Sequence, residues 1–534
     1  MNVNSVINRA RQYWADRSLR RQIREVERYL PAIPTDETAP VLFFNASTRI
    51  HRLSLNGAYS LLASWGLRAA GIPVRYLVCH AGMEQCILGA TLDDPLAPPP
   101  CRTCIRFSSY LFPEHLTIPL EKNDARVDEI HKELKDLNLD GLKAWKYADL
   151  PLGELCLPGL QWSLRRADLV DDERTRKLFI KFLGSAASLQ GYFHQTLDEL
   201  QPQAVVVFNG IFYPEAILRE VAMRREIPVI THEVGLRPYS AFFTHEHATF
   251  RKVEVPPEFE LDDEQNTRLD RYLENRFEGR FSMAGVRFWP EIVDLPDEIE
   301  AAIKDFEQTA VVFTNVIFDT SQVHANTYFE DMFAWLSCLE EVIADHPETL
   351  FIMRAHPDED RPGKSSQQSV SEWVKSREIE NRENVIFLEP SEYVSSYELV
   401  RRAKFVLVYN SSIGIEATIL GTPVLMAGRA RYSHEDTAFI PKDREEYNTF
   451  LYEFLTQNDV KVPREMIAAA RRLLYLELFH GSLDLSRYLE PDPVLPGMVV
   501  FTEFDPENLR RDPVLGTIRL GILEGGNFRL PQEA

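Results

Sequence analysis

A chain of 534 residues, 45% of them hydrophobic and 26% charged, is longer than one hydrophobic core usually serves, so two or more folded domains are expected. Its net charge of −22 repels a phosphate backbone, and no basic stripe with interleaved aromatics runs through it, which argues against nucleic acid as a partner. No stretch approaches the ~20 apolar residues needed to span a bilayer, and the amino terminus lacks the apolar centre of a signal peptide, so a cytoplasmic location is expected.

In chain order, the first thirty residues read as a helix rich in arginine (Arg9, Arg11, Arg17, Arg20, Arg21, Arg24 and Arg28). Such a helix either packs on the domain surface or, through Trp14, Leu19 and Ile23, lies on anionic lipid as a peripheral contact at the inner face of the membrane. Short apolar runs then recur at 41–45, 74–80, 204–209 and 228–232, and again at 310–315, 350–354, 384–388, 405–409 and 422–427. Near-continuous apolar runs mark strands covered on both faces, and helix-length spacers mark right-handed crossovers. The expected fold is α/β, with two doubly wound, Rossmann-like domains facing a cleft. Residues 105–200 carry helical periodicity and few strand signals, and read as a helical insertion in the first domain. The pattern breaks around 255–300. Domains are therefore expected at 1–285 and 286–490, with a tail at 491–534 that carries Pro491, Pro493 and Pro496 and folds back over one of them.

Four of the six cysteines fall in one segment, Cys79, Cys86, Cys101 and Cys104. In a cytoplasmic protein such a cluster suggests metal before disulfide, either a closed tetrahedral zinc site or an iron–sulfur cluster that staples a loop. Against this, the Cys79–Cys86 spacing is not that of a standard zinc knuckle, so a redox or adventitious disulfide pair and plain buried thiols stay open. Cys156 and Cys338 read as isolated buried residues.

Two segments carry the chemistry. The run at 405–409 leads into Asn410-Ser411-Ser412-Ile413-Gly414-Ile415-Glu416-Ala417 and then Gly421-Thr422-Pro423. A strand that ends in small hydroxyl residues and opens a helix gathers free N–H groups at one point, where phosphate binds. The dipole gives only ~0.3–1 kcal/mol, so the hydroxyls and amides of Ser411 and Ser412 must do most of the holding. Glu416, one turn on, faces the same crevice and can accept ribose hydroxyls. The alternative is an N-cap serine on an ordinary crossover helix. The run at 350–354 ends in Arg354-Ala355-His356-Pro357, where Arg354 offers a planar fork for phosphate and His356 sits in a stiff pre-proline backbone. Ligands of such sheets lie outside the carboxyl ends of strands, so both segments point at one crevice.

The pair RAHP and NSSIGIEATILGTPV resembles the bacterial capsule polysaccharide biosynthesis proteins, which include Kdo transferases, and more distantly the sialyltransferases of the GT-B fold. The resemblance covers residues 305–430 best. It implies a nucleotide-sugar donor, CMP-Kdo-like first and a UDP-sugar next, with His356 and Pro357 near base and ribose, Ser411 and Ser412 on phosphate, Gly414 in the same turn and Glu416 on a sugar hydroxyl. The implied acceptor is a capsule or surface polysaccharide or a glycolipid.

The first half supplies the other wall of the cleft. Asn209 and the run Thr231-His232-Glu233-Val234-Gly235 end expected strands. A transferase needs a base for the acceptor hydroxyl. His232 and Glu233 are adjacent and point oppositely along a strand, and Glu233 is preferred narrowly. Glu215 opens the helix after Asn209, and Asp319 lies at another strand end, either touching the acceptor or holding an arginine. Neither Asp93-Asp94 nor Asp358-Glu359-Asp360 sits in a convincing metal-binding context, and helix ends with basic side chains can stabilise a leaving phosphate without metal. Two rival readings stand on the same residues. One is a CDP-alditol phosphotransferase or nucleotide-sugar epimerase, and the other is a non-catalytic polysaccharide-binding or assembly protein.

Overall fold

A computed structural model describes residues 3–31, 39–48, 52–89, 91, 94–278, 294–361 and 365–531. Asp93, the side chain of Arg9 and part of the expected domain break, 279–293, lie outside the described residues. Every strand read from the sequence is present: β1 (Val41–Phe44), β2 (Val74–Cys79), β4 (Ala204–Phe208), β5 (Val229–Val234), β7 (Gln308–Phe313), β8 (Thr349–Arg354), β9 (Val385–Leu388), β10 (Phe405–Val408) and β11 (Val424–Met426). Three further strands join the sheets: β3 (Thr117–Leu120), β6 (Ser240–Thr244) and β12 (Leu483–Asp484).

The sheets run β12-β6-β5-β4-β1-β2-β3 and β11-β10-β7-β8-β9. The second is parallel throughout. The first is parallel from β3 to β5, and β6 and β12 add an antiparallel edge. Taking the first five strands of each half, both sheets follow one order, in which the chain moves outward on one side of its first strand and then returns to the other. Such an order has its switch point beside that first strand, between β1 and β4 and between β7 and β10, where the crossovers part and leave a crevice.

Strand residues alternate between two cores. Val41 and Phe43 pack on one face of the first sheet, Leu42 and Phe44 on the other. Val311 and Phe313 oppose Ala310 and Val312 in the second. β3 interrupts the stretch expected to be all helical. It is a four-residue edge strand containing Pro119, paired only with β2, and proline is tolerated there because an edge leaves one row of N–H groups unused. Core membership changes near Val253, since Val253, Phe259, Leu269 and Leu273 pack with the second sheet, ahead of the expected boundary at 285. The chain then crosses back at β12. The hairpin of β13 (Leu489–Pro491) and β14 (Val499–Phe501) and the helix Pro513–Glu524 cover the first domain. Phe501 lies against Trp65, ring centres 5.0 Å apart.

The amino-terminal helix Val3–Tyr29 buries Leu19, Ile23, Val26 and, just beyond its end, Leu30 in the first core. Of the three residues expected to meet lipid, only Trp14 points outward, because Leu19 and Ile23 belong to the stripe that docks the helix. No described helix is long and apolar enough to cross a membrane.

One buried carboxyl predicts a pH dependence of stability. Glu359 is 1% exposed and accepts the Val370 N–H with both oxygens, at 3.1 and 3.2 Å. Burial raises its pKa to about 8 from 4.5. Its folded pKa thus exceeds the unfolded value, so its contribution is intact below about pH 4.5 and is lost as pH rises through about 8. Glu359→Gln keeps an acceptor and removes the charge. The variant is expected to gain on the order of 3 kcal/mol over wild type at pH 8 and little at pH 4.5. Thermal unfolding at the two pH values reads the difference.

Candidate functional site

The turns after β8 and β10 open on one cleft of about 320 Å³, which Arg354, His356, Pro357, Ser411, Ser412 and Glu416 all line, with Asn315, Asp319 and Ser321 from the turn after β7. This is the switch point of the second sheet. Asn315 and Asn410 close its floor: the Asn315 side-chain oxygen accepts the Asn410 N–H at 3.3 Å, and the Asn410 amide donates to the Ser321 carbonyl at 3.2 Å.

Arg354 is almost wholly buried. Burial lowers its pKa to about 10, which leaves it a cation at neutral pH. It donates to the Glu392 carbonyl at 2.9 Å. His356 caps the turn Pro357–Asp360, its Nδ1 accepting the Asp358 N–H at 3.1 Å. Burial lowers its pKa, with Arg354 acting in the same sense against Asp358 and Asp319. A neutral imidazole with Nδ1 as acceptor carries its proton on Nε2, so His356 presents an N–H donor.

The serine pair departs from the N-cap reading. Ser412 has helical backbone angles and its side chain makes no capping bond, so the hydroxyl is left for the cleft. The helix that follows, Ile413–Ile419, has only 7 residues, so the hydroxyls and Arg354 outweigh its dipole. Gly414 does not line the cleft. It lets Tyr432 come close, since a Cβ there would stand 2.2 Å from the Tyr432 hydroxyl. That hydroxyl donates to the Ser411 carbonyl at 2.6 Å and fixes the turn from below. Gly414→Ala is expected to cost about 1–3 kcal/mol through overpacking, partly relieved by adding Tyr432→Phe, which removes the atom in the way. Urea unfolding of the single and double variants measures both.

Glu416 lines the cleft with its carboxylate already engaged on both oxygens. It is 3% exposed. One oxygen is ion-paired with Arg276 and the other accepts the Tyr397 hydroxyl at 2.6 Å. Its carboxylate anchors Arg276 at the cleft wall. Arg276 was not singled out in the sequence. It lies on the helix Asp263–Phe277, where the buried residues are Leu269, Leu273 and Arg276. Spacing of four and then three puts it on the core-facing stripe, and an arginine on an apolar stripe is the signal that would have revealed it.

On the first sheet, alternation along β5 separates the two candidates read there. His232 is fully buried, its ring 5.3 Å from that of Phe243. Burial lowers its pKa to about 3. It is a neutral core residue and does not reach the cleft. Glu233 points the other way and is only half-buried, accepting from the Asn56 amide at 2.6 Å and from the Val234 N–H at 2.9 Å. Burial raises its pKa, hydrogen bonds oppose this, and the charge of Asp319 adds to the rise. The charge of Asp319, in the second half, is thus felt at Glu233 in the first. Asp319 is exposed and caps the turn Thr320–Gln322 by accepting the Ser321 N–H at 3.0 Å. Glu215, by contrast, is fully buried under the Ser47 N–H (2.9 Å).

Cys79, Cys86, Cys101 and Cys104 line one apolar cavity of about 30 Å³. None of the four is in a disulfide. Among the described residues no three Cys, His, Asp or Glu side chains are arranged to hold a metal ion. Burial raises the Cys86 thiol far above its usual range, and Cys79 and Cys104 add to the rise. Of the two expected isolated cysteines, Cys156 is buried and Cys338 is half-buried.

The chain is thus an α/β protein with two large sheets, and the strand ends of the second frame a cleft lined by arginine, histidine and serine. Residues 297–438 match the family model described as Capsule polysaccharide biosynthesis protein, and that segment contains both RAHP and NSSIGIEATILGTPV, so the resemblance is borne out where its residues lie. No curated protein matches the chain. Among solved structures, the KpsC beta Kdo 2,7 transferase of Thermosulfurimonas dismutans is 15% identical with a TM-score of 0.31, over 54% of this chain and 80% of that one. The KpsC beta Kdo 2,4 transferase of the same organism is 13% identical with a TM-score of 0.33, over 52% and 80%. The UDP-GlcNAc 2-epimerase of Neisseria meningitidis bound to UDP-GlcNAc is 10% identical with a TM-score of 0.24, over 81% and 98%.

Proposed function

We propose that the protein is a glycosyltransferase that takes a nucleotide-activated sugar in the second domain and passes the sugar to a saccharide or glycolipid hydroxyl held by the first. The observation that carries this reading is the convergence of His356, Arg354, Ser411 and Ser412 on one cleft at the switch point of a parallel sheet. An arginine cation, an imidazole N–H and two uncommitted hydroxyls suit an oxyanion, and a cleft of about 320 Å³ is within the usual range for a small-molecule site. A CMP-linked acidic sugar is the first choice of donor and a UDP-sugar the second.

In this reading Glu233 accepts the proton of the attacking hydroxyl as that oxygen bonds to the anomeric carbon. The bond from that carbon to the phosphate oxygen breaks, and Arg354 and the serine hydroxyls take up the charge left on the phosphate. His356 donates from Nε2 to the nucleotide. In the same reading Asp319, which lines the cleft, orients the sugar.

Thermal shift against CMP, UDP, CDP and GDP tests the proposal, because a ligand that binds only the folded state raises its apparent stability by RT ln(1 + [L]/Kd). One nucleotide is expected to stabilise wild type, and Ser412→Ala with His356→Ala is expected to abolish the shift while far-UV circular dichroism stays unchanged. If none of the four nucleotides shifts the transition, the donor-site reading is wrong.

A further inference from the structure

Four basic side chains meet where the two halves touch, at the turns Ala248–Phe250 and Thr320–Gln322. His247 and His324 lie with ring centres 4.6 Å apart. Arg429 stacks on Phe250 at 3.9 Å, and the same Phe250 ring is 6.5 Å from that of His324. Arg219 packs at the ends of β4 and β5, its Cδ 3.0 Å from where a Cβ on Gly210 would be, as is the Thr231 methyl. Burial lowers the pKa of His247, and Arg219 and His324 add to that; burial likewise lowers that of His324, with Arg429 and Arg219 adding. Both histidines therefore feel the charge of Arg219, and His324 that of Arg429 as well.

All four are half-buried. Among the described residues the four form no ion pair. Arg219 Nε, His247 Nδ1 and His324 Nε2 are buried without a hydrogen-bond partner. Glu220 and Glu246 act on Arg219 only at longer range. The neighbouring arginines differ: Arg251 and Arg431 both pair with the buried Glu477, at 3.9 and 3.1 Å. In a chain of net charge −22, carboxylates are plentiful, and leaving converging cations and ring nitrogens unmatched at a domain junction is costly unless an anion visits them.

We infer that Arg219, His247, His324 and Arg429 form an oxyanion subsite that holds a carboxylate or phosphate group carried by the acceptor. The placement fits. Thr231 shares a strand face with Glu233 two residues on, and His324 follows the turn that bears Asp319 and Ser321, so an acceptor anchored here would extend its hydroxyl toward Glu233. The inference rests on the transferase reading for the identity of the anion's carrier, but not for the existence of the site.

The test uses the full chain with histidine labelled at Cε1. His247 and His324 are followed by NMR during titration with inorganic phosphate, with glucuronate and with glucose, in the presence of saturating CMP. Resonances of His247 and His324 are expected to move with phosphate, with glucuronate or with both, and to stay still with glucose. Phosphate alone would indicate a phosphorylated acceptor, and glucuronate alone an acidic sugar. Arg219→Gln with Arg429→Gln is expected to weaken the effective anion at least roughly tenfold, through loss of charge-assisted hydrogen bonds, while the CMP thermal shift is unchanged. Static His247 and His324 resonances, or an undiminished response in the double variant, would overturn the subsite and leave the nucleotide site standing. A wild-type protein that ignores CMP, yet shows the anion response and its loss in the variant, would overturn the nucleotide reading and keep the subsite.

Discussion

Glu233→Gln is expected to slow sugar transfer by roughly 10²–10⁴-fold, the usual contribution of a positioned general base, and to leave nucleotide affinity unchanged. The amide keeps the shape and can still accept from Asn56 and Val234 N–H (2.6 and 2.9 Å), so the loss would report proton transfer and not collapse of the loop. Burial and the Asp319 charge hold the Glu233 carboxyl above its ordinary range. The acidic limb of kcat/KM is therefore expected to lie higher in pH than for an ordinary carboxylate. Asp319→Asn, which removes the neighbouring charge, is expected to move that limb down. Transfer at near wild-type rate by Glu233→Gln, measured with the nucleotide-sugar that the thermal screen selects, would remove Glu233 from the mechanism.

Arg276→Met is expected to destabilise the fold by about 3–5 kcal/mol, the cost of leaving one partner of a buried ion pair uncompensated. Arg276 and Glu416 are 8% and 3% exposed, and Glu416 would retain only the Tyr397 hydroxyl bond (2.6 Å). Adding Glu416→Gln to Arg276→Met removes the stranded charge and is expected to recover most of the loss, because a buried pair is weak evidence of net stabilisation while half of one is a liability. Urea unfolding of wild type, each single variant and the double variant closes the cycle. An Arg276→Met loss below about 1 kcal/mol, the range of an exposed pair, would show that the pair is solvated in solution.

Both predictions involve positions that the sequence presents unequally. Glu233 was legible because it ends an apolar run beside His232, and period-two alternation allows only one of two adjacent residues to face a cleft. Which one it would be was not legible. The answer came from packing: Phe208 and Phe243 enclose the His232 ring, and that face of β5 became core. Glu416 was legible as a cleft residue but its pairing was not, because its partner Arg276 lies 140 positions earlier on a helix that only the fold brings alongside.

By itself the sequence determined the strands and their sites of exit. Runs such as 350–354 and 405–409 are apolar throughout, and a strand buried on both faces has no other composition available to it. Their order was open, because local pattern carries no information on which strand lies beside which. The short edge strands β3 and β12 escaped notice for a related reason: an edge of two to four residues needs little apolar surface and so leaves little trace. Only the tertiary structure decided that the helix Asp263–Phe277 serves the second core, that the carboxyl-terminal tail returns to the first, and that Arg219, His247, His324 and Arg429 meet. Those outcomes depend on long-range contacts between surfaces that are each complete in themselves, and charge placed at such a junction is recognisable only once both surfaces are in place.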